Sequence, residues 1–377
     1  MLPKVFDLVA IGRAYTDIVS HASDEFLQTY HIPFDGQRES SIDELKTIQQ
    51  ALTQPQIFPG GSSANTVSVI AALGGKAGFF GKVYRDYAGE FFLKDLKQRK
   101  VTLCCDCYRP FPSMSATCLV LLNSDQRSFA YNPGCADYFS LEDFEKFDFS
   151  KTHFLLIEAH LLTSSIASKS ILQVMKQAKD KSEIVINLQG IKQWDSFNEI
   201  VRHIISYASI IIGNKDEQTA FNETVHSLQP SQQISQISIT TKGADGAEIY
   251  QPGQLPYSVP AIVPKMFVSS AGAGDAFIAG FLLSRSKGMG IKKSMHHAVL
   301  TATAILEETG ARPTHSLSYL FPTTAKILKE NNMGLFSQKI ESSADIRAEI
   351  MAKTSFSQGS NTAKRLRAHA PSKLTNN

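Results

Sequence analysis

The sequence lacks the features that mark several classes of protein. It has 5 cysteines and 1 tryptophan in 377 residues, and its glycines and prolines follow no period. Collagen-like and low-complexity chains are therefore excluded. No run of apolar residues is long enough for a membrane span or a signal peptide. These absences predict a cytoplasmic protein without a membrane partner.

The cysteines do not form a zinc-binding pattern. Cys104, Cys105 and Cys107 lie together, and no second pair of Cys or His ligands follows at the spacing that zinc requires. Cys118 and Cys135 stand apart. Buried, reduced thiols in a reducing compartment are the prediction.

A strong excess of one charge is also missing. The chain has 38 Lys and Arg against 35 Asp and Glu, a formal net charge of +3. Residues 353–377 contain five basic residues and no acidic one, which leaves about −2 for the rest of the chain. The body therefore lacks the charge of a nucleic-acid-binding surface, and no nucleic-acid partner is predicted.

What is present is an alternation of apolar strands and amphipathic helices. Between Phe154 and Thr241 the alternation predicts parallel βαβ units with helices on both faces of the sheet. We therefore predict one α/β domain over 1–336, a three-layer α/β/α arrangement with a mostly parallel central sheet. Hairpin patterns predict a small β-sheet lid built from parts of about 13–55 and 101–135. Residues 337–377 are predicted to form a basic, disordered tail.

One segment carries the strongest chemical signal. P-loop, dinucleotide-binding and protein-kinase motifs are absent. Gly272, Ala273 and Gly274 instead precede an amphipathic helix, with Asp275 in its first turn. Backbone N–H groups at a helix start favour an anion, and a carboxylate there can accept a proton from an attacking hydroxyl. A capped helix after a tight glycine turn explains the same local string equally well.

Two further segments add to this signal. Gly61 lets a ligand approach the backbone, and Asn65 offers a donor and an acceptor for sugar hydroxyls. Asn214 and Glu217 follow a strand and lie three residues apart, where they could steer a hydrated Mg²⁺ beside a triphosphate. Taken alone, each segment is more often a turn or a helix cap.

Together the segments resemble the signatures of the ribokinase or PfkB carbohydrate kinases, over about residues 4–330. The stretches that carry the resemblance are Gly60–Asn65, Asn214–Glu217, Thr241–Ala247 and Gly272–Gly280. Three more stretches are similar to the adenosine-kinase-like branch, namely Gly12–Asp17, Asp125–Ser128 and Gly310–Pro313. This branch also contains kinases of plain sugars. The resemblance implies the ribokinase-like version of the fold predicted above.

The resemblance also implies roles for individual residues. Asp275 is implied as the general base, with the backbone N–H groups of Gly272, Ala273 and Gly274 as the anion hole for the transferring phosphoryl group. The residues implied in substrate binding are Asp17, Gly61, Asn65 and Arg127. For Arg127, a solvated arginine in a hairpin is the alternative.

The same resemblance implies the nucleotide side of the site. Asn214, Thr241, Gly243 and Gly246 are implied along ATP, and Asn214 and Glu217 are implied at Mg²⁺ through water. Where the family usually has Asp-Thr, this chain has Ser269-Ser270, which puts activation by a monovalent cation in doubt.

The prediction is thus an ATP-dependent kinase that phosphorylates a hydroxymethyl group of a sugar or nucleoside, as a monomer or homodimer. Two alternatives stay open. One is a nucleotide- or sugar-binding regulatory relative without turnover, and the Ser269-Ser270 pair favours it slightly. The other is an interaction protein whose basic tail carries the biology.

Overall fold

The computed structural model describes residues 4–123, 126–191, 193–229 and 236–320. All of them belong to one unit, Met1–Leu328; a second unit, Lys329–Asn377, lies outside them. The tail predicted for 337–377 and the turn of the predicted lid hairpin, Ser124-Asp125, also lie outside the described residues. Within these ranges no helix is both long and apolar enough to cross a membrane.

The described residues form two sheets. The strands are β1 (Phe6–Ile11), β2 (Thr16–His21), β3 (Gln37–Glu39), β4 (Gln56–Pro59), β5 (Ala77–Phe80), β6 (Thr102–Leu103), β7 (Thr117–Asn123), β8 (Gln126–Asn132), β9 (Thr152–Glu158), β10 (Glu183–Asn187), β11 (Ile210–Asn214), β12 (Ile237–Thr241), β13 (Ala247–Tyr250) and β14 (Tyr257–Val259). The large sheet has the order β14-β13-β12-β11-β10-β9-β1-β5-β6. From β6 to β12 its neighbours are parallel, and β13 and β14 complete it antiparallel.

Helices cover both faces of the large sheet. Their bounds are α1 (Asp24–Thr29), α2 (Ile42–Gln50), α3 (Ser62–Ala72), α4 (Tyr87–Gln98), α5 (Glu142–Glu145), α6 (Ala159–Thr163), α7 (Ser168–Ala178), α8 (Asn198–Tyr207), α9 (Lys215–Leu228), α10 (Ala273–Ser286) and α11 (Ile291–Leu306). The core on one face includes α3, α4, α10 and α11, and the core on the other includes α7, α8 and α9.

Burial on both faces explains why the central strands are apolar throughout. In β1, Leu8 and Ala10 belong to one core, whereas Val9 and Ile11 belong to the other. Parallel strands between two helix layers have no solvent-facing side. The three-layer, ribokinase-like α/β fold expected from the sequence is confirmed, as is the alternation of strands and helices between Phe154 and Thr241.

The second sheet, here called the lid sheet, has the order β3-β8-β7-β2-β4. One of its faces packs on α1 and α2 and has its own small core, which includes Ile18, Leu119 and Ala130. The opposite face, here called the open face, is half-buried; its side chains include Asp17, Val19, Phe58, Cys118, Val120, Arg127, Phe129 and Tyr131. The predicted hairpin of β7 and β8 is present, and β4 lies just beyond the bound of 55 expected for the lid.

Candidate active site

The carboxyl ends of the parallel strands gather polar groups at one edge of the large sheet. Glu158 ends β9, Asn187 ends β10, Asn214 ends β11 and Thr241 ends β12. Neighbouring strands keep these ends in register, with Asn187 opposite Glu158 and Asn214 opposite Thr241. Ligands of open α/β sheets bind at this edge, outside the carboxyl ends of the strands.

Asp275 lies in the first turn of α10, where its carboxylate has two side-chain donors. The Ser62 hydroxyl donates to Oδ1, and Asn65 Nδ2 donates to Oδ2 at 2.9 Å. Asn187 Nδ2 in turn donates to Ser62 Oγ at 3.0 Å. Burial raises the pKa of Asp275 to about 6, although the bonds from Ser62 and Asn65 act in the opposite direction. The structure therefore joins the two strongest sequence segments at one carboxylate.

The start of α10 has the geometry of an anion-binding turn. Gly272 caps the helix at φ +76°, and a Cβ at this residue would collide with Ala311. Among the described residues, the N–H groups of Gly272 and Gly274 have no protein acceptor. The Ala273 N–H donates to the Ser270 carbonyl, although at 3.4 Å this hydrogen bond is long. Free N–H groups at a helix N-terminus are suited to a phosphoryl group.

The two serines that replace the usual Asp-Thr shape this turn. Ser269 Oγ accepts a hydrogen bond from the Ala271 N–H at 3.1 Å, and the Ser270 carbonyl is the acceptor for Ala273. The Ser269 hydroxyl and the Ser270 carbonyl are thus used within the turn itself.

Asp17 faces the segment that enters α3. Any Cβ on Gly60 would overlap with the Asp17 carboxylate, so glycine is what permits their close approach. Burial raises the pKa of Asp17 to about 7; the charge of Arg312 opposes this shift and that of Asp275 adds to it. Asp17, Asn65 and Asp275 therefore belong to one electrostatic cluster. Gly61, next in the chain, caps α3.

Arg312 ties this cluster together. Its Nε donates to Asn65 Oδ1 at 2.9 Å, its Nη2 donates to the Gly60 carbonyl at 2.7 Å, and its Nη1 pairs with Asp95 of α4. Burial lowers the pKa of Arg312 to about 10. The bond from Arg312 fixes which end of the Asn65 amide faces Asp275. Arg312 lies within the Gly310–Pro313 stretch that carries part of the family resemblance, but the sequence alone predicts no role for it.

A second buried acid stabilises the neighbouring turns. Glu158 accepts from the Ser63 N–H at 2.8 Å and from the Arg13 N–H at 3.0 Å. Burial raises its pKa. The Arg13 side chain forms a two-bond ion pair with Asp137 at 2.6 and 2.7 Å. Sequence reasoning missed Ser62, Glu158 and Asn187; for the last two, a polar residue ending an apolar strand was the available signal.

Asn214 and Glu217 form a reciprocal cap at the start of α9. Asn214 Oδ1 accepts from the Glu217 N–H, and Glu217 Oε2 accepts from the Asn214 N–H at 2.8 Å. Glu217 is buried, and its Oε1 also accepts from the Gly190 N–H at 2.6 Å. No cluster of three or more His, Cys, Asp or Glu side chains suited to a metal occurs in the described part of the chain. Asn214 and Glu217 therefore do not form part of a set of carboxylates that could coordinate a metal ion directly.

Thr241, Gly243 and Gly246 lie around the turn between β12 and β13. The backbone of Gly246 approaches that of Val259 and Ala261, and no atom lies within 4 Å of the position a Cβ of Gly243 would take. The chain then runs through a stretch of exposed apolar side chains to the turn that precedes α10; the exposed members are Ile262, Val263, Met266, Phe267 and Val268. In chain order, these three predicted ATP residues are followed by β13, β14, the exposed stretch and the anion turn.

Arg127 is not brought to the cluster. It pairs with Leu122, whereas Asp17 pairs with Cys118, four residues earlier on β7. Along the strands this separates the two residues by about 13 Å, and the two strand spacings between β2 and β8 add to that distance. His160 is half-buried beside Gly190, and burial lowers its pKa to about 4.

Comparison with known proteins agrees with this geometry. The pfkB family carbohydrate kinase profile matches residues 32–316, more than half of the chain. Adenosine kinase 2 of Arabidopsis thaliana is 22% identical over 329 residues, covering 80% of this chain and 94% of that protein. Fructokinase of Vibrio alginolyticus is 27% identical over 287 residues, covering 72% and 91%. The crystal structure of adenosine kinase from Sinorhizobium meliloti superposes with a TM-score of 0.76 at 23% identity, covering 84% and 99%.

The fold and the polar edge define a kinase of small molecules. The chain belongs to the pfkB family of carbohydrate kinases and is similar to its adenosine-kinase-like branch. It is therefore a phosphotransferase with an alcohol group as acceptor.

Proposed function

We propose that this protein transfers the γ-phosphoryl group of ATP to the hydroxymethyl group of a nucleoside. The observation that carries the proposal is the Asp275 carboxylate, held by Ser62 and Asn65 at the N-terminus of α10. It lies beside N–H groups that have no protein acceptor within the described ranges. A base and an anion site in one turn are what phosphoryl transfer to a hydroxyl requires.

In the proposed reaction, Asp275 accepts the proton of the acceptor hydroxyl as its oxygen attacks the γ-phosphorus. The new O–P bond forms while the bond to the ADP oxygen breaks. The N–H groups of Gly272 and Gly274, joined by Ala273 once it leaves the Ser270 carbonyl, stabilise the charge on the transferring group. Each such donor commonly contributes a few kcal/mol to the transition state.

Asp17, Gly61 and Asn65 are proposed to hold the sugar hydroxyls. The open face of the lid sheet supports a nucleoside rather than a plain sugar, because Val19, Val120 and Phe129 extend from Asp17 as a half-buried apolar surface. Such a surface suits the flat face of a base. Arg127 lies farther along the same hairpin, and its contact with phosphate is kept only as a proposal for a closed lid.

Thr241, Gly243 and Gly246 are proposed to lie along ATP, with the exposed apolar stretch 262–268 beside its base. Glu217 and Asn214 offer hard oxygen atoms, which suit Mg²⁺ held through water. Glu217 already accepts two backbone N–H groups, so its carboxylate is fixed in place for such a role. When bound, Mg²⁺ would neutralise phosphate charge. We propose the cytoplasm as the compartment, in keeping with five free thiols.

A binding protein without turnover is the second candidate. The bond between the Ala273 N–H and the Ser270 carbonyl favours it, because one of the three anion-hole donors is engaged within the turn. This candidate predicts stabilisation by ATP without ADP release.

The test is ADP release from ATP and Mg²⁺ with adenosine, other nucleosides, ribose and fructose as acceptors. Turnover with a nucleoside, reduced about a hundredfold or more in Asp275→Asn, supports the proposal. The control is Glu199→Gln, an exposed acid on α8. Turnover with a plain sugar only would overturn the nucleoside assignment. No turnover with any acceptor, while ATP still raises the Tm, would favour the binding protein.

A further inference from the structure

A cavity of about 520 Å³ opens at the β6 edge of the large sheet. Its walls come from the segment Cys104–Arg109 and from the segment Ser140–Lys146 around α5. None of the proposed active-site residues lines it. Two of the clustered cysteines, Cys104 and Cys105, face this cavity as lining residues.

A fully buried lysine lies behind the cavity. Lys82 Nζ donates to the Asp106 carbonyl at 2.6 Å and to Asp143 Oδ1 at 2.7 Å, and it lies 3.6 Å from Cys105 Sγ. Arg109 pairs with the same Asp143 carboxylate. Two cations therefore share one carboxylate, and one of them, Lys82, lies next to the Cys105 sulfur. A cation in this position favours the thiolate form of the cysteine.

The five thiols differ in the charge state that their surroundings favour. Burial raises the pKa of Cys104 and of Cys135 to about 12, and it also raises that of Cys118. For Cys105 the hydrogen bond with the Cys107 thiol and the charge of Lys82 lower the pKa to about 7. The thiolate, not the thiol, attacks electrophiles, so Cys105 is the nucleophile of the set.

We propose that Cys105 is a modification site for low-molecular-weight disulfides that enter this cavity. The Cys105 thiolate attacks one sulfur of the incoming S–S bond, a new S–S bond to the protein forms, and the other half leaves as a thiolate that takes a proton from solvent. While Cys105 is a thiolate, its hydrogen bond and its charge raise the pKa of the neighbouring Cys107. Cys107 therefore stays protonated and does not compete with Cys105 as the nucleophile.

The first test uses the full chain and oxidised glutathione at about neutral pH, with peptide mapping by mass spectrometry over time. Cys105 should carry the first adduct, and dithiothreitol should remove it. Cys105→Ser should abolish this adduct, whereas Cys104→Ser, which removes the adjacent thiol of the same cavity, should leave its rate unchanged. A first adduct on any other cysteine, or a Cys105–Cys107 disulfide as the product, overturns the proposal.

The second test follows the rate at Cys105 against pH. The charged or titratable groups facing the cavity and the sulfur are Lys82, Cys104, Asp106, Cys107, Arg109, Glu142, Asp143 and Lys146. The rate should level off above about pH 7, not above the usual value of about 8.5 for a thiol. Lys82→Met should move this midpoint upward and slow the reaction at about pH 7 roughly threefold, since higher thiolate nucleophilicity offsets part of the loss.

Arg109→Gln covers the case in which Lys82→Met fails to fold. It leaves Lys82 and Asp143 as a balanced pair, so the midpoint should again move upward. A wild-type midpoint above about pH 8 contradicts the proposal. So does a midpoint that does not move in the folded variant, judged by its circular dichroism.

Discussion

At the scale of single residues, Asp275 combines two properties that a general base needs. Two donors from α3 hold its carboxylate in one orientation. Burial brings its pKa to about 6, close to the pH at which such an enzyme works. A carboxylate with an ordinary pKa would be a weaker base, and one with a much higher pKa would be protonated at neutral pH.

The pH dependence of the reaction follows from this. Protonated Asp275 cannot accept a proton, so kcat/KM should fall as the pH is lowered through about 6, by about tenfold per unit below it. Ser62→Ala removes a donor that lowers the pKa of Asp275 and should move the fall to higher pH. Initial rates between about pH 5 and pH 8 measure this. Since Asp17 titrates nearby, Asp17→Asn should retain the fall; a flat profile in that variant would show that Asp275 is not the base.

Asp17 gives a second residue-scale prediction, this time on stability. Its pKa is about 7 in the folded protein, against about 3.9 in an unfolded chain, so the folded state binds more protons between these values. The free energy of unfolding should therefore fall as the pH rises from about 4 to about 7. Asp17→Asn removes the buried charge and should stabilise the protein by about 2 kcal/mol above pH 7.

Thermal unfolding of the two proteins at about pH 4 and pH 8 checks this. The stability gained by Asp17→Asn should be present at the higher pH and nearly vanish at the lower one, where wild-type Asp17 is protonated in the folded protein and about half protonated in the unfolded chain. An equal Tm difference between wild type and Asp17→Asn at both pH values would mean that packing, not charge, causes the difference in stability. If Asp17 binds the acceptor as proposed, Asp17→Asn should gain stability and lose affinity for the acceptor.

At the scale of secondary-structure elements, the segment that leads into α3 positions the Asp17 carboxylate, which we propose holds the acceptor. Gly60→Ala places a Cβ against the Asp17 carboxylate. The carboxylate must then turn away, and KM for the acceptor should rise about tenfold or more, with a smaller change in KM for ATP. Gly290→Ala is the matched control, because no atom lies within 4 Å of its Cβ position. Equal effects on both substrates would contradict this role of Gly60.

The same scale shows which elements the sequence could predict. The starts of α3, α9 and α10 are encoded locally, by glycine turns and by the Asn214–Glu217 cap, so local sequence is enough to predict these turns and caps. The strands β2 to β4 were not located individually. They are three to six residues long, and β2 pairs with β7, which follows about a hundred residues later. Short strands whose partners are distant in sequence give little local pattern from which to predict them.

At the scale of the whole molecule, the candidate site depends on parts that are distant in sequence. Arg312 reaches Asn65 and Asp95, 247 and 217 residues away. Glu158 and Asn187 are single polar residues at the ends of apolar strands, and only the sheet register shows that they meet. The sequence could therefore indicate the proposed base and anion turn through their motifs, whereas the residues that position them required the fold.

The lid sheet allows a prediction that separates binding from stability within one strand. Leu119 and Val120 are neighbours on β7, but Leu119 packs into the lid core and Val120 lies on the open face. Leu119→Ala should lower the free energy of unfolding by about 2–4 kcal/mol, because it leaves a cavity. Val120→Asp should cost less stability and raise KM for a nucleoside by about tenfold, because a charge would face the base. KM values and urea unfolding of both variants measure the contrast. If both variants lowered only the free energy of unfolding, or both raised only KM, the two faces would not have separate roles in stability and binding. The open face would then lose its proposed role in selecting a nucleoside.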